Sequence, residues 1–324
     1  MNLGIYESLI TDTLKNRLDS IDRNEFYIAD HKKLDADEAI HFLSLHLGGA
    51  IKNALKLIKA DKKDMLVSKQ IEISNNILKY LTQEISNYEF TEDLVYAEGL
   101  ILEGVLDKLN SDYSDVKLHL SEIMPLTRLT QSELFTGGNV GLSLDAELKK
   151  EIRSSDRIDL LVSFIKWKAI VILRDAFTEF TKRGGKLRVI TTTYMGATDA
   201  KAIDELSKLP NTEIKVSYNN SNERLHAKAY LFYRNSGFHT GYIGSSNFSR
   251  SALTDGLEWN VKVTTKEIPH IIDKFQKTFE SYWNNAEFEL YDESKLQLLD
   301  DALQNNKMGK PTLEVVPFFA LKPY

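Results

Sequence analysis

The chain has no cysteine among its 324 residues. Disulfide scaffolds, thiolate zinc sites, iron–sulfur clusters and cysteine nucleophiles are therefore excluded. A reducing, cytoplasmic location fits that composition. No stretch approaches 18 apolar residues, so no membrane span is expected. The N-terminus carries acids early and has no apolar run, so it does not read as a signal peptide. There is no Walker lysine motif, nucleotide-binding glycine fingerprint or HExxH, so no ATPase and no such zinc site is encoded. The two ExxH patterns, at Glu38 and Glu267, fall in different parts of the chain, whereas a di-iron bundle needs them on facing helices. No metal and no cofactor is expected. Positive charge is not in excess, with 41 Lys and Arg against 47 Asp and Glu. The net charge is −6, which argues against a simple basic nucleic-acid binder.

That charge is unevenly placed. Residues 1–120 hold 21 acids and 14 Lys/Arg, and residues 121–324 hold 26 and 27. The acidity belongs to the first third, and the remainder can meet an anionic substrate without strong repulsion. Proline follows the same division, because all six lie from Pro125 onward. Interior proline breaks helices, so its absence suggests a helical first domain. Leu3, Tyr6, Ile10, Leu14 and Leu18 recur at helical spacing, as do Val67, Ile71, Leu78, Leu81 and Ile85. A further helix is expected from Asp35, as a start signal, to Lys59.

After Leu126 the pattern changes to strand–helix alternation. Ile158–Ile165, Lys186–Thr192 and Glu213–Tyr218 read as strands, with helices over Lys168–Arg183 and Ala200–Lys208 between them. That order predicts a parallel, right-handed α/β unit. Leu225–Arg234 and Thr240–Gly244 flank Asn235-Ser236-Gly237 and read as a hairpin. Trp259–Thr264 is a further strand and Lys266–Asn284 a closing helix. The expected fold class is α/β, a mixed sheet flanked by helices behind an all-α N-terminal domain. The domains are expected at 1–124 (helical), 125–285 (catalytic) and 286–324 (a helical or linker tail).

The chemistry concentrates between Arg224 and Val263. On a strand, residues i and i+2 share a face, so His226 and Lys228 project together. One hairpin turn later Gly244-Ser245-Ser246-Asn247 ends the next strand, and Glu258 precedes the one after. An imidazole, an ammonium, a hydroxyl, an amide and a carboxylate thus converge at adjacent strand ends. This set suits phosphoryl transfer. A neutral imidazole attacks phosphorus, Lys and Asn donate to the non-bridging oxygens, and a carboxylate fixes the imidazole tautomer.

HxK followed by GSxN and a later Glu resembles the phospholipase D superfamily, through His226, Lys228, Gly244, Ser245, Asn247 and Glu258. Two departures are visible. The usual motif aspartate is replaced by Tyr233, and the gap from Lys228 to Gly244 is four residues longer than usual. Wider segments, from LFTGGNVGLSLDAELKKEI to HAKAYLFYRNSGFHTGYIGSSNFSRSALTDGLEWNV, resemble the N-terminal nuclease domain of large bacterial DEAD/DEAH-box helicases. The terminal FALKPY resembles the lead-in to their helicase core.

The resemblance implies a metal-independent nuclease acting on DNA and associated with a helicase module in defence or repair. It also implies a homodimer, because the superfamily uses two facing HxK…GSxN motifs and this chain has one such pair. His226 would be the nucleophile. Its counterpart in the second copy would act as acid and then base. Lys228, Ser245 and Asn247 would hold the phosphate, and Glu258 would orient the imidazole. Lys166, Thr193, Ser246 and Arg250 are further candidates for substrate contact, Asp199 is read as a cap or a site residue, and Tyr194 and Trp167 are candidates for base stacking. The alternatives are a catalytically silent dimerisation and DNA-binding module, or a phospholipase or phosphatidyltransferase using the same histidine. No membrane partner is expected.

Overall fold

The computed structural model describes residues 5–21, 30–85, 88–106, 116–137, 142–218, 225–254 and 256–308. The apolar C-terminal segment lies outside them. The chain forms two compact units, Met1–Glu103 and Gly104–Tyr324.

The first unit is helical. Helix α1 covers Asp12–Ile21, later than the Leu3 periodicity suggests, because the Thr11 hydroxyl accepts from Leu14 N at 3.2 Å and caps its start. Helix α2 covers Ala36–Leu57, and Asp35 caps it by accepting from Asp37 N and Glu38 N. Helix α3 covers Lys63–Glu84. Gln70 of α3 donates to Leu55 O of α2 at 2.9 Å. Neither α2 nor α3 contains a buried residue.

The second unit begins with α4 (Val116–Ile123) and β1 (Glu133–Phe135). Next come α5 (Leu144–Ser154), β2 (Arg157–Val162), α6 (Trp167–Lys182) and β3 (Lys186–Thr192). They are followed by α7 (Ala200–Ser207), β4 (Thr212–Ser217), β5 (Lys228–Tyr233) and β6 (Thr240–Gly244). The chain continues through α8 (Arg250–Leu253), β7 (Asn260–Thr264), α9 (Pro269–Trp283), β8 (Phe288–Leu290) and α10 (Leu296–Met308). Pro269 at the first turn sets the start of α9. The sequence places the domain boundary at 124. The compact units divide at 103/104 instead, and α4 belongs with the sheet because Lys150 of α5 donates to the Ser121 and Glu122 carbonyls.

The eight strands run in the order β1-β7-β6-β5-β2-β3-β4-β8. Only β2, β3 and β4 are parallel, as the strand–helix alternation predicts; the other pairings are antiparallel. Alternate residues feed two cores. Ile158, Leu160, Val189, Tyr230, Phe232 and Tyr242 pack with α6 residues such as Leu173 and Phe177. Leu161, Ile190, Leu231 and Tyr233 pack beneath Phe279 of α9. Each fully buried Leu, Ile or Phe contributes roughly 1.5–3 kcal/mol.

Sequence periodicity gives no sign of the charge cluster under this sheet. Glu147 and Glu151, one turn apart on α5, are fully buried, as are Lys262 of β7 and, nearly so, Arg234 just after β5. Lys262 Nζ lies 3.0 Å from Glu147 Oε1 and 2.9 Å from Glu151 Oε1. Arg234 pairs with Glu151 and bonds Ser154 Oγ at 2.7 Å. Tyr242 of β6 donates to both carboxylates, and Thr240 donates to Glu151. Two cations balance two carboxylates. Despite burial, which alone would raise it, Arg234 and Lys262 hold the Glu151 pKa down at about 2 from the ordinary 4.5.

Lys262→Met is expected to lose about 3–5 kcal/mol in urea denaturation, because it leaves a buried carboxylate uncompensated. Glu147→Gln added to it recovers part of the loss. The depressed Glu151 pKa contributes stability that is present above about pH 4.5 and lost as pH falls from there toward about 2. Acid titration of the urea midpoint checks the sign.

Candidate active site

Strand direction brings the predicted residues to one edge of the sheet. In the β2–β5 pair Val162, at the end of β2, faces Lys228, at the start of β5. In the β6–β7 pair Gly244, at the end of β6, faces Asn260, at the start of β7. The carboxyl ends of β2, β3 and β6 therefore meet the amino ends of β5 and β7. Ligands bind at this kind of edge in open α/β sheets.

His226 stands exposed just ahead of β5. Lys228 Nζ lies 2.9 Å from His226 Nδ1 and 3.3 Å from Nε2, and donates to His226 O at 2.8 Å. The ammonium thus fronts the ring, and a ring nitrogen lone pair accepts from it. Burial lowers the Lys228 pKa below the ordinary lysine value, with Glu258 pulling the other way. Glu258 therefore bears on the lysine. The resemblance assigned it to orienting the imidazole, but the ring nitrogens face Lys228, and no hydrogen bond joins Glu258 to His226 among the described residues.

Hydrogen bonds hold the GSSN segment and the Phe248 that follows it to their neighbours. Ser245 N donates to Trp259 O at 3.0 Å, and Trp259 N donates to Ser245 Oγ at 3.1 Å. Asn247 Oδ1 accepts from Phe164 N at 3.4 Å, which turns the amide NH₂ away from that backbone as a donor. Lys166 N donates to Phe248 O at 2.8 Å, beside a bridge between Ile165 and Phe248. These links join the loop after β2 to the loop after β6. Gly244 is required by close approach. A methyl group there would collide with Trp259 O and Asn260 Oδ1.

Two of the candidate substrate contacts, Ser246 and Thr193, are buried and bonded to other parts of the chain. Ser246 is fully buried, accepts from Asn260 Nδ2 at 2.7 Å and donates to Ala252 O at 3.3 Å. Thr193 is fully buried, donates to Ser217 O at 3.3 Å and accepts from Asn306 Nδ2 at 3.2 Å. Both hydroxyls are bonded within the protein. Lys166 is half-exposed and paired with Asp199 at 3.2 Å, and Asp199 also accepts from Trp167 N at 2.9 Å. Asp199 is therefore a cap for the first turn of α6 as well as an ion-pair partner. Arg250 stands exposed at the start of α8. Lys201 Nζ lies 4.5 Å above the Trp167 ring, so that indole carries a cation on one face.

Tyr233, at the place of the usual aspartate, ends β5. It lies five positions on from Lys228, about 16 Å along a strand. Its ring lies under the Arg157 guanidinium at 3.9 Å, in the core beneath α9. This substitution therefore leaves the chemical end of the strand untouched. Sequence reasoning missed Asn260, which is buried and bonds the Ser246 backbone and hydroxyl. A polar residue opening an apolar strand was the available signal, and it needed the β6–β7 register to be interpreted.

Residues 148–283 match the family model described as Cardiolipin synthase, PLD-like domain. The chain carries a PLD-like domain. No curated protein matches the chain. Among solved structures, NucT from Helicobacter pylori is 18% identical over 47% of this chain and 94% of its own, with a TM-score of 0.34. Nuc, a phospholipase D family member from Salmonella typhimurium, is 18% identical over 50% of this chain and 99% of its own, with a TM-score of 0.37. The phosphatidylserine synthase of Haemophilus influenzae Rd KW20 is 8% identical over 55% and 46%, with a TM-score of 0.36. None of these likenesses bears on what this chain acts on. Among the described residues, no group of three or more His, Asp or Glu is placed to hold a metal ion, and no helix is long and apolar enough to cross a membrane.

Gly244→Ala is expected to destabilise the PLD-like domain by about 1–3 kcal/mol, the cost of overpacking a tight contact. Denaturant unfolding measures it. A neutral result would mean that β6 and β7 do not approach as closely as described.

Proposed function

We propose that the chain is a DNA phosphodiesterase that works through a phosphohistidine at His226. The observation that supports this most directly is the His226 imidazole fronted by the Lys228 ammonium, at the sheet edge where Ser245 and Asn247 also emerge. A phosphodiester entering that edge draws Lys228 Nζ onto a non-bridging oxygen and frees the ring nitrogen to attack phosphorus. The P–O bond to the leaving group breaks as the N–P bond forms. A second imidazole protonates the departing oxygen. That imidazole then takes a proton from water, whose oxygen attacks the phosphohistidine. The products are a phosphomonoester end and free His226.

Lys228, Ser245 and the Asn247 amide NH₂ stabilise the oxygens as charge builds on them. Glu258 balances the charge on Lys228, and Arg250 lies within the same loop cluster as a contact for a neighbouring phosphate. No step in this sequence calls for a metal. DNA as the substrate, and a helicase module as the working partner, rest on the resemblance of the flanking segments to helicase-linked nuclease domains.

The second imidazole comes from a second copy, since the chain has one HxK that is followed by GSxN. The sheet offers a face for it. Leu134, Val261 and Ile243 lie directly opposite one another across β1, β7 and β6, and each is 43–45% exposed. Trp259, just ahead of β7 and two residues before Val261, extends this row toward Ser245 and is also exposed. An apolar row of this kind next to a half-site is what a two-fold partner would cover.

Val261→Asp is expected to yield a monomer by sedimentation and to lower DNA cleavage by about 10²-fold or more. His226→Ala is expected to lose cleavage to a similar degree while keeping the oligomeric state of the parent chain. Full cleavage by a monomeric Val261→Asp would reject the shared site.

A further inference from the structure

We infer that the sheet edge beside His226 continues into a cationic patch that holds the polynucleotide chain beyond the scissile phosphate. The patch consists of Lys166 and Lys168 at the start of α6, Lys201 of α7 and Arg250 of α8. It rests on the reading above for its substrate and narrows that substrate to a chain of several phosphates, not a lone diester.

Hydrogen bonds lace the patch to the site. Ser163 Oγ donates at 3.4 Å to the carbonyl of Ala227, which lies between His226 and Lys228. Phe164 N donates to Asn247 Oδ1, and Lys166 N to Phe248 O. Asp199 N donates to Ile165 O at 2.8 Å. The loop after β2 therefore touches both halves of the site and leads directly into Lys166, Trp167 and Lys168, with the start of α7 tied to it. Helices α7 and α8 both lie against α6. The three lysines follow β2 and β3, on the other side of β5 from the β6, β7 and β1 row invoked for a second copy.

Charge selects the occupant. Lys168, Lys201 and Arg250 are exposed, and none has a carboxylate within ion-pair distance among the described residues. The acids nearest Lys201 are taken, Asp199 by Lys166 and Asp204 by Lys208. Asp300 of α10 lines the same hollow as Lys201 and marks where the patch stops. In a chain of net charge −6, cations gathered without acids beside a phosphodiester site are a surplus that a polyanion balances. Lys201 Nζ is held 4.5 Å over the Trp167 ring, and that ring packs against the core. The indole is thus a mount for the ammonium rather than a platform for a base. Lys228, Ser245 and Asn247 already serve the scissile phosphate, so a lone diester leaves these four cations idle. A polynucleotide carries a charge on every residue and engages them together.

The test uses the full chain carrying His226→Ala, so that a fluorescein-labelled single-stranded oligodeoxynucleotide stays intact. Binding is read by anisotropy across a series of KCl concentrations. Adding Lys168→Gln and Lys201→Gln together is expected to weaken binding about tenfold or more at low salt. It should also lower the slope of log affinity against log salt by about 1.4, two contacts at about 0.7 each. Lys274→Gln with Lys277→Gln removes the same charge from α9, where both lysines are exposed, and should leave the slope as it is. An unchanged slope for the first pair, or an equal drop for both pairs, would overturn the patch. So would a chain that binds phosphatidylglycerol vesicles through Lys168 and Lys201 but the oligonucleotide without them. Cleavage by the chain with His226 restored is measured in parallel. A slope that falls in a chain that never cleaves supports the patch and contradicts the phosphodiesterase reading; cleavage with an unchanged slope does the reverse.

Discussion

The fully buried charge cluster of Glu147, Glu151, Arg234 and Lys262 is the constraint on which the rest of the PLD-like domain depends. Its two carboxylates come from one turn of α5. Its cations and hydroxyl donors come from β6, β7 and the residue after β5. Those three strands carry, or lead directly into, HxK, GSSN and the Glu258 segment. Burying four charges costs several kcal/mol each before their attraction repays it. A well-packed apolar cluster of the same volume would be at least as stable. What the ionic cluster adds is register. A one-residue slip of β6 or β7 would turn Tyr242 or Lys262 to the opposite face and leave the carboxylates buried without partners.

With the register set at the lower end of the strands, the chemical end is arranged by smaller forces. Gly244 lets β6 and β7 close on one another, Asn260 ties the GSSN backbone, and Phe164 N holds the Asn247 amide. A second ionic group does equivalent work on the other face. Asp159 is fully buried and takes Arg188 bidentately at 2.8 Å, and Arg188 reaches Glu280 of α9. Helix α9 is thereby locked over β2 and β3. Neither cluster touches the site, and both lie under the strands that deliver it.

The legibility of this protein in its sequence follows physical range. Interactions within a few residues were readable. The strand at Lys186–Thr192, the hairpin at Asn235-Ser236-Gly237 and the Asp35 cap all rest on local periodicity, turn chemistry or capping. His226 and Lys228 were readable as a pair because their spacing alone puts them together. Features set by strand pairing were not. Ser246 and Thr193 look like free hydroxyls in a motif, yet each is buried against a group far along the chain. Glu258 sits at the right place in the motif, but the neighbour that fronts the imidazole is Lys228. Tyr233 reads as a lost site residue until the strand length places it at the far end. The short edge strands β1 and β8, three residues each, carry too little periodicity to be seen.

The central claim is that His226 is the nucleophile of a hydrolysis carried out by side chains alone. Incubating the protein with single- and double-stranded DNA in excess EDTA, with His226→Ala beside the parent chain, tests it most directly. The account predicts cleavage by the parent chain and none by His226→Ala. Cleavage that disappears with EDTA, or that survives His226→Ala, would contradict it.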